Sequence, residues 1–376
     1  MRIFLLEYIT AGGLSGMPLP ASLLREGTLM RDALLSDFGA IDDIEIVTTY
    51  DARLGFPEVR ALKIRAPEAS APKHVKQAIS IDSTANAKTI WQEILQSCDA
   101  ALVVAPETNG VLSSLTQMVE ASNVRNLGCT QVAVDIASNK YDTYHKLNNA
   151  NILTIPTYTV REFLSIELAG NKSFNRGCVT KPIDGAGCED TLYFKDAVAL
   201  QTRLDLDAGF ALGRQHTHIV QPYQTGTPAS ISMLCTHGKA WVLSCNQQAI
   251  EIKPGEIKPS DIHKTTDNAA AIQYKGCHVN GLSLHRDAFT KLADSIAAAM
   301  PSLHGYIGVD VIINNEDIYV VEINPRITTS YIGLRESLNC NPAKLILDLA
   351  CSESSSSTFK LPENMTTNTV EISVNE

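Results

Sequence analysis

The stretch Gly308-Val-Asp310-Val-Ile-Ile-Asn314-Asn-Glu-Asp317-Ile-Tyr-Val-Val-Glu322-Ile-Asn324-Pro-Arg326 decides how the rest of the sequence is read. Two β-rich arms surround the turn signal Asn314–Asp317, the pattern of an antiparallel hairpin. Side chains alternate faces along a strand, so Glu322 and Asn324 share one face. A three-residue loop at 315–317 pairs 314 with 318 and sets Asp310 directly opposite Glu322. Two carboxylates and an amide oxygen then converge from neighbouring strands. Hard oxygen ligands in that number suit Mg²⁺, which keeps water and nucleotide phosphates as its other ligands. Arg326, just beyond, is placed to meet phosphate or carboxylate oxygens. A solvated hairpin is the competing reading. A Glu set between Val320-Val321 and Ile323, followed by Asn-Pro-Arg, argues against it.

Upstream, Val179-Thr-Lys181-Pro-Ile-Asp184-Gly185-Ala-Gly187 places a Lys at the end of an apolar strand, followed by a glycine-rich turn. Glycines permit positive φ and let backbone N–H groups approach oxygens, which suits a phosphate-gripping flap. The P-loop pattern GxxxxGK[ST] is absent. Lys140, in Ser138-Asn-Lys140-Tyr-Asp142, is a second candidate cation. His218-Ile-Val-Gln221-Pro222-Tyr223 reads as a strand entering a proline-fixed hinge, whose N–H and C=O groups suit the edge of an adenine.

The first 125 or so residues alternate strand and helix signals, which implies parallel strands with helices on both faces. Arg2–Ile9 reads as a strand ending in the glycine turn Thr10-Ala-Gly12-Gly13, and Leu19–Phe38 carries apolar residues at helical spacing. Later, Ala133–Leu147 reads as one helix, and strands are expected at Ala229–Thr236 and Lys239–Cys245. The serine run Ser352–Ser357 marks the expected end of the packed core, with a tail beyond it.

Composition narrows the function classes. With 31 Lys and Arg against 41 Asp and Glu, the net charge is −10, and no basic block of five or more exists. Nucleic acid is therefore not an expected partner. No stretch approaches the ~18 uncharged apolar residues of a membrane span. The apolar run after Arg2 is broken at once by Glu7, too early for an export signal. The nine cysteines never come closer than ten residues apart, which excludes CxxC pairs and points to reduced thiols in a cytoplasmic protein.

Taken in order, Lys140, Lys181-Pro with its glycine loop, Gln221-Pro-Tyr223, Asp310 and Glu322-x-Asn324-Pro-Arg326 resemble the ATP-grasp superfamily. The resemblance covers residues from about 1 to 350. It implies an α/β and α+β architecture: a pre-ATP-grasp α/β domain at 1–127, then a two-lobed ATP-grasp domain. The small lobe with its flap would occupy 128–205, the C-terminal lobe with the Mg²⁺ site 206–352, and the tail 353–376. It further implies that Lys140, Lys181, Gly185, Gly187, Gln221 and Tyr223 bind ATP. Asp310, Glu322 and Asn324 would hold Mg²⁺, with Mn²⁺ as an alternative, and Arg326 would be catalytic. The acidic residue that many members carry in the hinge is missing here. Leu6-Glu7-Tyr8, Gly12-Gly13, Tyr274-Lys-Gly-Cys277 and the run Asn324–Leu334 resemble the tyramine–glutamate ligase branch of methanofuran-type cofactor synthesis.

The implied chemistry is ATP-driven amide formation from a small-molecule carboxylate and an amine through an acyl phosphate. Thr328, Thr329 and Ser330 are candidate substrate residues beside the γ-phosphate. Glu7, Gly12 and Gly13 sit at the end of the first strand, where open α/β sheets bind ligands, and are candidates for receiving the amine. An ATP-grasp phosphotransferase and a non-catalytic ATP-binding module are the alternatives, and a homodimer is left open.

Overall fold

The computed structural model describes residues 1–57, 75–166, 172–185, 187–206, 208–214, 216–254, 269–352 and 359–374. The N-terminal layer is built from β1 (Arg2–Glu7), α1 (Ala21–Phe38), β2 (Glu45–Asp51), β3 (Val75–Ile81), α2 (Ala87–Leu95), β4 (Ala100–Val104), α3 (Val111–Ala121) and β5 (Arg125–Asn126). Its strands lie in the order β3-β2-β1-β4-β5, all parallel. From β1 the chain steps one way to β2 and β3, then the other way to β4 and β5. The strand order therefore reverses between β1 and β4, and a crevice opens at their carboxyl ends. Both strands are apolar on both faces because helices cover both: Phe4 and Leu6 join a core with Trp91 and Leu95, while Ile3 and Leu5 join one with Leu34, Leu35 and Phe38.

Next come α4 (Gln131–Ala137), α5 (Lys140–Asn149), β6 (Tyr158–Thr159), α6 (Val160–Leu164), β7 (Cys178–Pro182), β8 (Leu192–Phe194), α7 (Ala197–Leu206), α8 (Ala208–Arg214) and β9 (His218–Pro222). The expected single helix over 133–147 is two. Asn139 breaks it, taking extended φ/ψ while its side chain accepts the N–H groups of Tyr141 and Asp142, a cap that starts a new helix. Lys140 thereby becomes the first residue of α5 rather than a mid-helix position.

The remainder comprises β10 (Thr227–Thr236), β11 (Lys239–Pro254), β12 (Ala269–Val279), α9 (Arg286–Ala299), β13 (Gly305–Asn314), β14 (Asp317–Asn324), α10 (Leu334–Leu338), α11 (Pro342–Ser352) and β15 (Val370–Ser373). Strands β6–β14 form one antiparallel sheet in the order β14-β13-β10-β11-β12-β8-β7-β9-β6, with β15 paired to β12. The turn His237-Gly238, both residues left-handed, joins β10 to β11. Strand β11 continues nine residues past the expected Cys245, because Gln247–Pro254 pair with Ala270–His278 of β12.

The segment beyond the serine run is not a tail off the core. Phe359 packs edge-on against Trp241 at 5.0 Å, and Ile372, on the strand paired beside β12, is buried. Residues 353–357 of the run lie outside the described residues. Ile3 and Leu5 of the parallel layer share one apolar cluster with Ile327, Tyr331 and Leu345, so the N-terminal layer and the large antiparallel lobe are packed together. No described helix is long and apolar enough to cross a membrane.

Candidate active site

The hairpin β13–β14 does set Asp310 opposite Glu322, by a different route from the one expected. The loop has two residues, with Asn314 paired to Asp317 and Asn315 left-handed at φ 57°. Continued regularly, that register would put Asp310 opposite Val321. A β-bulge between Asp310 and Val311 on one arm, facing Val320–Glu322 on the other, absorbs the extra residue. The Asn324 amide donates to Asp310 Oδ2 at 3.1 Å, so the three side chains stand together. On its other oxygen Asp310 accepts from Gln248 Nε2 of β11 at 2.8 Å.

Above this platform the two lysines meet. Lys181 Nζ, at the end of β7, lies 3.4 Å from Glu322 Oε2, and Lys140 Nζ lies 3.6 Å from the same oxygen. Lys140 also donates to Gly185 O at 3.0 Å, and its backbone N–H to Ile183 O at 2.9 Å, fastening α5 to the base of the flap. The electrostatics separate the two carboxyls. Burial and the neighbouring Glu322 charge push Asp310 up, whereas at Glu322 the two ammonium groups outweigh burial and hold the carboxyl down. Burial, reinforced by Lys140, depresses the Lys181 ammonium against the pull of Glu322.

All these groups line a single cavity, together with Gly185 and Gly187 of the flap, Gln221, Tyr223, Arg326, Thr328, Thr329 and Ser330. Gly185 and Gly187 take φ of 141° and 69°, conformations that side chains disfavour, as the flap reading requires; Ala186 lies outside the described residues. The hinge differs in detail from expectation. Pro222 has no N–H, the Tyr223 N–H donates to Gly177 O at 2.9 Å, and the Gln221 amide donates to Thr157. These donors are committed within the protein.

Glu7, Gly12 and Gly13 are not brought to the cavity. The Glu7 carboxylate is buried and accepts from Thr10 Oγ1 (2.6 Å), Thr10 N (2.8 Å) and Ile9 N (3.2 Å). It caps its own turn. A Cβ on Gly12 would lie 2.5 Å from Ile81, and one on Gly13 would lie 2.3 Å from the Tyr8 ring, so both glycines serve packing. Thr328, Thr329 and Ser330 do line the cavity, with hydroxyls tied to Tyr306, Tyr274 and Ser232 at 2.8–3.2 Å.

Arg326 is already engaged. Its Nε and Nη2 bond Glu107 Oε1 and Oε2 at 2.9 and 3.0 Å, and Nη1 bonds Ile327 O at 3.2 Å. Of its five N–H groups, one on each terminal nitrogen is left for a ligand. Sequence reading missed Glu107, Gln248 and Glu26. Glu26, on the α1 face turned to the flap, lines the cavity, feels the Arg326 charge and accepts no hydrogen bond among the described residues; burial raises its carboxyl.

Comparison with known proteins agrees with this geometry. A model of the ATP-grasp domain matches residues 137–330, just over half of the 376, and a pre-ATP-grasp domain model matches 44–134. The chain belongs to the ATP-grasp family. It is 29% identical over 351 residues to the tyramine–L-glutamate ligase of Methanocaldococcus jannaschii, covering 93% of this chain and 90% of that one. A solved structure from Archaeoglobus fulgidus, assigned to the ATP-grasp superfamily, superposes with a TM-score of 0.61 at 19% identity, over 99% of both chains. The L-amino acid ligase of Bacillus licheniformis superposes with a TM-score of 0.57 at 14% identity, over 96% of this chain and 77% of that one.

In this ATP-grasp chain, Lys181→Met is expected to weaken ATP binding at least tenfold while shifting the melting temperature little. The side chain's apolar stem is kept; the contact with Glu322 is lost, but Lys140 stays 3.6 Å from the same oxygen, and a buried ammonium beside another ammonium is removed. Isothermal calorimetry with ATP, alongside thermal melts, checks this.

Proposed function

We propose that this ATP-grasp ligase activates the γ-carboxylate of L-glutamate and joins it to a primary amine of the tyramine class. The carrying observation is the junction of Lys140, Lys181 and Glu322 over Asp310, at the floor of a cavity roofed by a glycine flap. The substrate pair is supported by the named ligase of Methanocaldococcus jannaschii, which aligns along nearly the whole chain.

Asp310, Glu322 and Asn324 are assigned to hold Mg²⁺. The donor set fits: two half-buried carboxylates face each other with the Asn324 amide beside them, and a divalent cation would relieve the repulsion that helps raise Asp310. No group of three or more His, Cys, Asp or Glu side chains is placed to cage a metal among the described residues. The remaining ligands then come from phosphates and water, the usual Mg²⁺–nucleotide arrangement. A bound divalent ion would supply neutralisation of the phosphate charge at these residues.

Lys140 and Lys181 hold the polyphosphate, and Gly185 and Gly187 bring flap backbone against it. Gln221 and Tyr223 shape the wall for the base. A glutamate carboxylate oxygen attacks the γ-phosphorus, the bond to the β,γ-bridging oxygen breaks, and ADP leaves. The amine nitrogen then attacks the acyl carbon, the bond from that carbon to the phosphate oxygen breaks, and the proton lost by nitrogen leaves on the departing phosphate. Arg326, through its two remaining N–H groups, and the hydroxyls of Thr328–Ser330 stabilise the developing charge. Glu26, a cavity-lining carboxylate that accepts no hydrogen bond among the described residues, replaces Glu7 as the seat for the amine. The closed flap keeps water from the acyl phosphate.

Hydroxylamine intercepts acyl phosphates as hydroxamates. With ATP, Mg²⁺ and L-glutamate but no amine, a γ-hydroxamate is the expected product. ATP consumption with no hydroxamate from glutamate or any dicarboxylate would replace the ligase reading with phosphotransfer.

A further inference from the structure

The turn that follows β4 touches two separate parts of the site. It leaves the carboxyl end of the strand at the crevice, and its shape is fixed locally. Gly110 N donates to Glu107 O at 3.1 Å, Leu112 N donates to Pro106 O at 3.1 Å, and Asn109 and Gly110 take successive left-handed φ of 55° and 67°. Two groups project from this turn in different directions. The Glu107 carboxylate, 3% exposed, grips Arg326 at the end of β14 through two bonds of 2.9 and 3.0 Å. Two residues on, the Asn109 N–H donates to Asp184 Oδ2 at the base of the glycine flap at 2.8 Å. One short turn of the N-terminal layer thus bridges the C-terminal lobe's arginine and the small lobe's flap.

We propose that Glu107 is a positioning residue for Arg326, and that its turn acts as a strut that couples flap closure over the nucleotide to the placement of that guanidinium. A bidentate carboxylate–guanidinium pair fixes the plane of the arginine as well as its position. With side-chain exposures of only 10% and 4%, the pair is little screened by solvent. Because the turn is closed by its own backbone bonds, a shift of Asp184 cannot be absorbed within it and passes to Glu107. The flap then closes on phosphates only in the arrangement in which two Arg326 N–H groups face the cavity. This inference rests on the ligase reading for its purpose, but the coupling itself requires only that ATP binds.

The test therefore uses nucleotide binding. Hydrogen exchange is followed on the full chain in peptides covering Ile183–Gly185, with and without a non-hydrolysable ATP analogue and Mg²⁺, in the unaltered protein and in Glu107→Gln, Asp184→Ala and the double variant. Asp184→Ala alters an exposed contact and does not endanger folding, so it decides the matter if Glu107→Gln fails to fold. The expected result is that the analogue slows flap exchange in the unaltered protein at least tenfold more than in either single variant, with analogue affinity within threefold. The double variant should be no worse than the singles. Protection equal to that of the unaltered protein in Asp184→Ala, or single effects that add in the double variant, overturns the strut. Failure of the substrate reading shows itself separately, as absence of hydroxamate and amide from the unaltered protein.

Discussion

Glu322→Gln is expected to lower turnover by about a thousandfold or more while leaving the fold intact. The substitution removes one charge and almost no volume, at the point where both lysines and the opposing carboxylate meet. Two effects on stability oppose each other. Lys140 and Lys181 lose their shared anion, a cost, but Asp310 loses the neighbour whose charge, together with burial, raises its carboxyl. The remaining amide oxygen still accepts from Lys181. Melting temperature should accordingly move by no more than a few degrees. Phosphate release in steady state, with circular dichroism on the same sample, tests both halves. A variant that unfolds would assign Glu322 a structural role, and one that keeps full turnover would remove it from the metal site.

Arg326→Met should damage both properties. The guanidinium and Glu107 are each largely withdrawn from solvent, so deleting the cation strands a buried carboxylate, a change of about 3–5 kcal/mol. Denaturant midpoints at unchanged slope measure it. The compensating test is the double variant Arg326→Met/Glu107→Gln, in which no charge is left unpaired. Most of the stability should return. Turnover should not, because the N–H groups facing the cavity are gone in both. If the single variant is as stable as the unaltered protein, the pair is not the interdomain tie described above.

What the sequence made legible was the set of charged residues that need partners, and what it hid was how the backbone delivers them. Asp310, Glu322, Asn324 and Lys181 could be read because polar and charged groups set in apolar strands demand an explanation, and Lys140 could be read only from its place in the order of those motifs. The parallel layer followed from strand–helix alternation, and Lys140 and Lys181, 41 residues apart, do meet at one carboxylate. Glu26 and Glu107 were invisible for opposite reasons. Glu26 sits within an amphipathic helix where a Glu is ordinary, and Glu107 follows a proline in a turn whose direction no periodicity encodes. Glu7 was read as an amine seat because the end of β1 is the right address for a ligand; its own turn, however, supplies three donors to the carboxylate, and it does not line the cavity. Strand β12 was not seen as such because its mixed polar and apolar residues lack clean alternation; it is held by β11, β8 and β15 rather than by its own pattern.

The bulge opposite Asp310 has a practical consequence for finding such sites in other genomes. Here the acidic pair is separated by 12 positions, one of which is the extra residue of the bulge. A chain with the same two-residue loop and no bulge would bring the same carboxylates face to face at 11 positions, and a three-residue loop without a bulge would again give 12. A search string with fixed spacing therefore selects for an accident of loop length and strand irregularity. It would pass over relatives whose carboxylates stand in the same place, and aligned gaps between the two acids should be expected in chains that keep the chemistry.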